Sequence, residues 1–357
     1  MPRTSALPAA ALYLRAGGSL LVSGVPTKGE IMRNIIRAAR AAKRAGRRRA
    51  VTGRRTGVTV LSAALLAGPL AGIAAAAPAV SYPVQAAYTP AGPYATTTGV
   101  VTDTSGQVID VVYYPSSYPA LGFKSPIVAW GDGTNATPAM VSVLLGHLAS
   151  YGFTVIAPTL ANTGSGNEID AAAHYLLTQD SVPGSVFAGH LDVGEVAAAG
   201  ASQGAGGAVR AATNDPALIK TVLTFSLPNT FWVGPNPDCP TAADCMFNPA
   251  ALTQPVFFIS THGPLDSIIA SPATEKAFFA STTGHAALGI IRNSGGRAAD
   301  HNSVQNPGYG GNPDGELGYA TAWLEYQLRH STAAAAAFTG THPELLSNPN
   351  WPGSASK

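Results

Sequence analysis

The sequence predicts an α/β fold in which a mostly parallel central sheet is covered by helices on both faces. Short apolar runs without polar alternation recur along the chain, as they do in strands that are buried on both sides. Segments of helical character separate these runs, and such alternation of strand and helix is typical of a parallel sheet. Ligands of these sheets bind at the carboxyl ends of the strands, so functional residues are expected on the loops that follow them.

The predicted elements begin with a strand over residues 108–114, whose alternating apolar and polar residues favour an antiparallel strand. Later strands are predicted over residues 127–130, 153–157, 195–200, 221–227, 256–260 and 287–292. Helices are predicted over residues 138–151, 168–179, 203–213, 272–281 and 316–330. The segments 78–90 and 341–357 are expected to be a lead-in and a tail that flank one α/β domain over 91–340.

Charge is distributed very unevenly along the chain. Residues 1–77 contain 13 Lys or Arg and a single acid, whereas residues 78–357 contain 8 basic and 18 acidic residues. A basic run over 33–55 precedes an uncharged stretch over 58–80 that includes the sequence AAAAP, which is the order of a secretory signal. We therefore expect cleavage near Ala77 and an extracellular protein. The alternative is an uncleaved transmembrane anchor, since the uncharged stretch is long enough to span a bilayer.

Two further expectations concern the same segment. The arginine pair Arg54-Arg55 resembles a loose twin-arginine signal. Residues 1–31 add nothing that a signal needs, so translation is expected to begin at Met32.

The part that follows the signal is acidic, with a net charge of −10 over residues 78–357. Nucleic acids and anionic membrane surfaces would repel it, so neither is expected as a partner, and no stable membrane insertion is expected after cleavage. A monomer is expected. The two cysteines, Cys239 and Cys245, predict a short loop disulfide in an exported chain, with two unpaired buried thiols as the alternative. No metal site is expected, because neither a second cysteine pair nor a suitable histidine spacing accompanies them.

A serine lies between two glycines where a predicted strand ends and a predicted helix begins, in the sequence GASQG at 200–204. A turn of this kind holds the serine in a strained backbone conformation and projects its Oγ from the sheet. Ser202 is therefore the candidate nucleophile. A serine hydroxyl is a weak nucleophile near neutral pH, so it needs a base and an acid that orients the base.

Asp266 and His301 are the candidate acid and base, because each lies on the loop after a later predicted strand. The chain order Ser, Asp, His is that of α/β-hydrolases. The alternative for Asp266 is a turn or N-cap carboxylate ahead of the next helix. The histidines that compete with His301 are His262, His285, His330 and His342, and none of them has its place on the loop after the strand at 287–292. Asp300 is interpreted as a loop residue.

The tetrahedral intermediate of such a reaction needs two N–H donors. The backbone N–H of Gln203, at the start of the helix after Ser202, is the first candidate. The second is the N–H of Asp132, on the loop after the strand at 127–130, with Gly133 in reserve. The alternative for this loop is a glycine turn without a role.

Several segments resemble the bacterial cutinase-like polyester hydrolases and chlorophyllase-like lipases of the α/β-hydrolase superfamily, over roughly residues 91–330. The segments that carry the resemblance are AGPY at 91–94, VYYP at 112–115, WGDGT at 130–134, LASYGFTVI at 148–156, GASQGAGG at 200–207, LDSI at 265–268 and YATAWL at 319–324. The resemblance implies a secreted, cofactor-free carboxylic ester hydrolase without a large lid. It also implies Ser202, Asp266 and His301 as the triad, and Asp132 and Gln203 as the oxyanion donors.

The sequence departs from the polyester-degrading members of that family around the nucleophile. Those members have aromatic residues where this chain has Asp132 and Ala201, a methionine at Gln203, and a tryptophan where this chain reads LPN at 227–229. The expected substrate is therefore a small ester, a lipid or an aliphatic polyester rather than an aromatic one. Phe231 and Trp232 either restore an apolar wall or pack toward the core. The alternative functions are an acyltransferase that uses the same triad, and a non-catalytic surface or glycan-binding protein.

Overall fold

The computed structural model describes residues 82–160, 162–234 and 239–357. The expected signal peptide, its cleavage near Ala77 and the Met32 start lie outside these residues. The strands are β1 (Thr96–Thr102), β2 (Val108–Pro115), β3 (Ser125–Gly131), β4 (Thr154–Pro158), β5 (Leu191–Ala201), β6 (Ile219–Phe225), β7 (Val256–Thr261), β8 (Ala286–Ile291), β9 (Asn293–Ser294), β10 (Arg297–Ala298) and β11 (Ala355–Ser356). The α-helices are α1 (Pro83–Tyr88), α2 (Ser142–Ser150), α3 (Asn167–Asp180), α4 (Gln203–Asn214), α5 (Ala242–Cys245), α6 (Asp266–Ile269), α7 (Pro272–Ser281), α8 (Asp314–Arg329), α9 (Thr332–Ala335) and α10 (Glu344–Ser347).

The central sheet has nine strands in the order β1-β2-β4-β3-β5-β6-β7-β8-β11. Strands β4, β3, β5, β6, β7 and β8 pair in parallel, whereas β1, β2 and β11 pair antiparallel at the two sides. This is the predicted mostly parallel sheet of the α/β-hydrolase fold, and the fold class is confirmed. Strand β2 is antiparallel to both of its neighbours, as its alternating sequence predicted.

Helices cover both faces because alternate residues of the central strands point to opposite sides. On one face Val128 and Trp130 of β3 belong to a core that includes Leu144 of α2 and Trp323 of α8. On the other face Ile127 and Ala129 belong to a core that includes residues of α3 and α4. The fully apolar sequence of β3 is thus explained by burial on both faces.

Two parts of the sheet differ from the sequence expectation. Strand β1 lies between the expected lead-in and the first predicted strand, where no strand was predicted, and most of its residues are exposed because it is an edge strand. The segment expected to be a tail contributes β11, which pairs with β8, and it buries Trp351. The segment 341–357 therefore packs as part of the sheet and its core.

The observed bounds of the predicted elements differ from the predicted bounds by only a few residues. The helix predicted over 138–151 begins as a 3-10 turn, Pro138–Val141, before α2. Strand β6 ends at Phe225, two residues earlier than predicted, because Ser226 has a positive φ of 50° that ends the extended backbone.

Among the residues that the structure describes, no helix is long and apolar enough to cross a membrane.

Candidate active site

Ser202 lies in a sharp turn between the last residue of β5 and the first residue of α4. Its φ of 53° and ψ of −122° place a non-glycine residue in a strained region of the backbone map. The turn brings α4 very close to β3, since a Cβ added to Gly204 would lie 2.1 Å from the carbonyl oxygen of Gly131. The predicted strand, turn and helix around Ser202 are therefore present, and the glycines permit the close approach.

The structure brings Ser202, His301 and Asp266 together in one hydrogen-bonded chain. Ser202 Oγ lies 2.9 Å from His301 Nε2, and His301 Nδ1 lies 2.7 Å from Asp266 Oδ1. Asp266 is fully buried and His301 has 9% of its side chain exposed. Ser202 is half-buried, so the serine is the member of the chain that a ligand can reach.

The buried carboxylate of Asp266 is stabilised by two further donors. Its Oδ2 accepts a hydrogen bond from Ser226 Oγ at 2.8 Å and from the Thr261 N–H at 3.0 Å. A buried carboxyl group without such partners would be costly, so these bonds offset part of the cost of burying Asp266 beside the imidazole. Sequence reasoning missed both donors. Their position at the carboxyl ends of β6 and β7, beside the acid, was the available signal.

The histidines that competed with His301 have other surroundings. His285 Nδ1 lies 2.8 Å from the Lys357 carbonyl oxygen, and His330 Nε2 lies 3.4 Å from Glu195 Oε1. His262 and His342 are exposed. His301 is thus the histidine that the structure places beside the candidate nucleophile.

The loop that carries Asp132 lies against the nucleophile. A Cβ added to Gly133 would lie 3.1 Å from Ser202 Cβ, which places this part of the backbone directly over the serine. The Asp132 carbonyl accepts a hydrogen bond from Thr163 Oγ1 at 2.9 Å, so the loop is also held by the segment that precedes α3. Gln203 is the first residue of α4, and the N–H groups of a first helical turn have no partner within the helix.

The side chain of Asp132 points into the protein. It is 1% exposed, and its Oδ1 accepts a hydrogen bond from Trp130 Nε1 at 2.8 Å. Its Oδ2 is buried and has no hydrogen-bond partner among the described residues. Burial raises the pKa of Asp132 to about 7, against a smaller opposite effect of the Trp130 bond.

Gln203 links the candidate oxyanion loop to the cysteine loop. Its Oε1 accepts a hydrogen bond from Thr134 Oγ1 at 3.0 Å, and its Nε2 lies 3.9 Å from Cys239 Sγ. Cys239 and Cys245 form the predicted disulfide, which is confirmed. The disulfide is therefore a direct neighbour of the residue that follows the nucleophile.

One cluster of side chains has the composition of a metal site. Ligand atoms of Asp170, His174 and Asp215 lie within 4.8 Å of one another. His174 is half exposed, and its Nε2 lies 3.1 Å from Asp215 Oδ2 and 3.8 Å from Asp170 Oδ1. Pairing between the histidine and the two carboxylates accounts for this arrangement without an ion.

Comparison with known proteins finds a family match over part of the chain. Residues 75–233 match the family described as PETase, PET hydrolase-like. The matched segment contains the Asp132 loop and the Ser202 turn, whereas Asp266 and His301 lie beyond it. No curated protein matches the chain significantly.

Proposed function

Since the chain carries a domain of the PET hydrolase-like family on an α/β-hydrolase fold, we propose that it is a carboxylic ester hydrolase that acts through an acyl-enzyme on Ser202. The observation that carries this proposal is the hydrogen-bonded chain from Ser202 Oγ through His301 to Asp266, with distances of 2.9 and 2.7 Å. Such a chain supplies the nucleophile, the base and the acid that orients the base.

In the proposed reaction Ser202 Oγ attacks the ester carbonyl carbon while His301 Nε2 takes the hydroxyl proton. Asp266 accepts a hydrogen bond from the N–H at His301 Nδ1, which fixes the tautomer and stabilises the imidazolium. The N–H groups of Asp132 and Gln203 are the proposed donors to the oxyanion, where the amino end of α4 also favours negative charge. The tetrahedral intermediate then expels the alcohol, which receives the proton from His301. Water attacks the acyl-enzyme by the same steps and releases the acid.

Replacement of the nucleophile tests this proposal. We expect Ser202→Ala to abolish hydrolysis of p-nitrophenyl esters and labelling by a fluorophosphonate probe, with an unchanged circular dichroism spectrum. Ser105→Ala, which changes an exposed serine in the turn between β1 and β2, is the matched control and should leave both activities intact. Wild-type ester hydrolysis by Ser202→Ala would contradict the proposal.

We propose an aliphatic or polar acyl group as the substrate class. The polyester-degrading relatives use aromatic side chains around the nucleophile, whereas Ala201 and Leu227 here are small or aliphatic and buried. Phe231 is 54% exposed, so it does not pack toward the core. Trp232 Nε1 donates to the Ile268 carbonyl at 3.1 Å, which places this aromatic pair near the acid loop. The wild-type kcat/KM for aliphatic esters should exceed that for benzoate esters of the same alcohol.

We further propose that the protein is exported and cleaved near Ala77. A disulfide between Cys239 and Cys245 supports an oxidising compartment. N-terminal sequencing of protein from the culture medium should begin close to Pro78. Protein that stays in the cells with residues 58–80 intact would contradict this proposal.

A further inference from the structure

Asp300 connects the loop of the candidate acid to the loop of the candidate base. One oxygen, Oδ1, accepts hydrogen bonds from three backbone N–H groups: Leu265 at 2.9 Å, Asp266 at 3.2 Å and His301 at 2.9 Å. Two of these N–H groups belong to the residues whose side chains form the proposed acid and base pair. We propose that Asp300 is a positioning residue that sets the distance between Asp266 and His301. This inference rests on the proposed function.

The surrounding backbone is built to admit this carboxylate. A Cβ added to Gly263 would lie 2.3 Å from Asp300 Oδ1 and 2.5 Å from its Cα, so only glycine leaves room for the contact. On its other side Asp300 is held by Ser303. The Asp300 N–H donates to Ser303 Oγ at 2.7 Å, and the Ser303 N–H donates to the Asp300 carbonyl at 2.7 Å. Asp300 is thus held through its side chain by the acid loop and through its backbone by Ser303.

Different residues hold the side chain and the backbone of Asp266. Ser226 and Thr261 hold the side-chain carboxylate, whereas Asp300 holds the backbone N–H of the same residue. Asp300 also holds the backbone N–H of His301, so it ties the main chains of acid and base to one atom. Loss of that atom should loosen the loops relative to each other while the bonds from Ser226 and Thr261 to the Asp266 side chain remain.

The consequence is catalytic because small displacements of a base cost much of the rate. We expect Asp300→Ala to lower kcat for ester hydrolysis by about 10- to 100-fold and to leave KM within about twofold, because its proposed role is to position Asp266 and His301 rather than to bind substrate. Asp300→Asn keeps an acceptor oxygen in the same place and should restore kcat to within about fivefold of wild type. Gly263→Ala displaces the carboxylate and should lower kcat as Asp300→Ala does.

A second aspartate gives a matched control. Asp103, in the turn after β1, also accepts backbone N–H groups on one oxygen, from Ser105 at 2.8 Å and Gln107 at 3.0 Å. Asp103→Ala therefore removes the same kind of bond at the far side of the sheet and should leave kcat unchanged.

The proton on His301 Nδ1 gives a spectroscopic readout. Its downfield NMR signal should be lost in Asp300→Ala and kept in Asp300→Asn.

The results separate three outcomes, each measured at a temperature where all variants are folded. A wild-type kcat and an intact downfield proton signal in Asp300→Ala would overturn the positioning role. An Asp300→Asn variant as slow as Asp300→Ala would show that charge, not the acceptor position, is what matters, and would also overturn it. Ester hydrolysis that survives Ser202→Ala would instead remove the proposed function itself, whatever the Asp300 variants do.

Discussion

The side chain of Asp132 could oppose the proposed role of its own backbone N–H. Its backbone N–H is a proposed donor to a developing negative charge, while its own carboxyl is buried beside Trp130. A second negative charge at this position would disfavour the oxyanion. Because burial raises the pKa of Asp132 to about 7, the carboxyl carries its proton below that pH and does not compete.

Asp132→Asn tests this reasoning through pH. The folded-state pKa is raised, so between its unfolded value near 4 and about 7 the folded protein binds more protons and its stability falls as pH rises. From pH 5 to pH 8 the wild type should lose about 3 kcal/mol in unfolding free energy relative to Asp132→Asn. Urea unfolding at several pH values measures this. Parallel stability curves for the two proteins would contradict it.

The same variant should change the rate at alkaline pH. Above about pH 7 the ionised Asp132 is expected to lower kcat of the wild type. Asp132→Asn retains an acceptor for Trp130 and has no charge to gain, so its kcat should not show this decline. A pH profile of p-nitrophenyl ester hydrolysis, corrected for spontaneous hydrolysis, compares the two.

At the scale of elements, the contact between α4 and β3 determines where Ser202 stands relative to the Asp132 loop. The backbone of Gly204 meets the backbone of Gly131 and Asp132, where an added Cβ would lie 2.1 Å and 2.6 Å from their carbonyl oxygens. We expect Gly204→Ala to separate the two elements and to cost about 3 kcal/mol of stability or more, since backbone must move.

Gly146 in α2 provides the control for Gly204→Ala, because an added Cβ there meets nothing within 4 Å. Gly146→Ala should stabilise the protein by about 0.5 to 1 kcal/mol, as expected for glycine in a helix. Thermal and urea unfolding of both variants measure the difference. Equal stabilities of Gly204→Ala and wild type would show that the helix moves away at little cost.

The elements also show which parts of the structure a sequence can predict. Strands β3 to β8 were predictable where burial on both faces makes them short apolar runs, and the first four residues of β5, most of which are exposed or partly exposed, were not predicted. Strand β1 was not, because an exposed edge strand carries no apolar pattern, and β11 was not, because two residues are too few for one. Ser202, Asp266 and His301 were located by motif and chain order. Ser226 and Asp300 contact the acid from 40 and 34 positions away in the chain, and Thr261 acts through its backbone N–H, so no side-chain motif marks any of the three.

In the molecule as a whole, Glu344 of α10 binds the first described helix, α1. Glu344 accepts hydrogen bonds from the N–H groups of Val84 at 2.7 Å and Gln85 at 2.8 Å, and from Tyr319 Oη at 3.0 Å. The carboxylate thus caps the amino end of α1 and joins it to α8. Trp351, 1% exposed, packs against Tyr319 in the core.

A chain that ends at residue 340 should therefore fold poorly, although the sequence alone suggested a domain boundary there. Two adjacent leucines of α10 test the cause. Leu345 is fully buried and Leu346 is 45% exposed, so Leu345→Ala should cost about 2 to 5 kcal/mol and Leu346→Ala less than about 1 kcal/mol. Urea unfolding of the truncated chain and both variants provides the comparison. A truncated chain as stable as the full one, with equal effects of the two leucine replacements, would show that residues 341–357 are a dispensable tail.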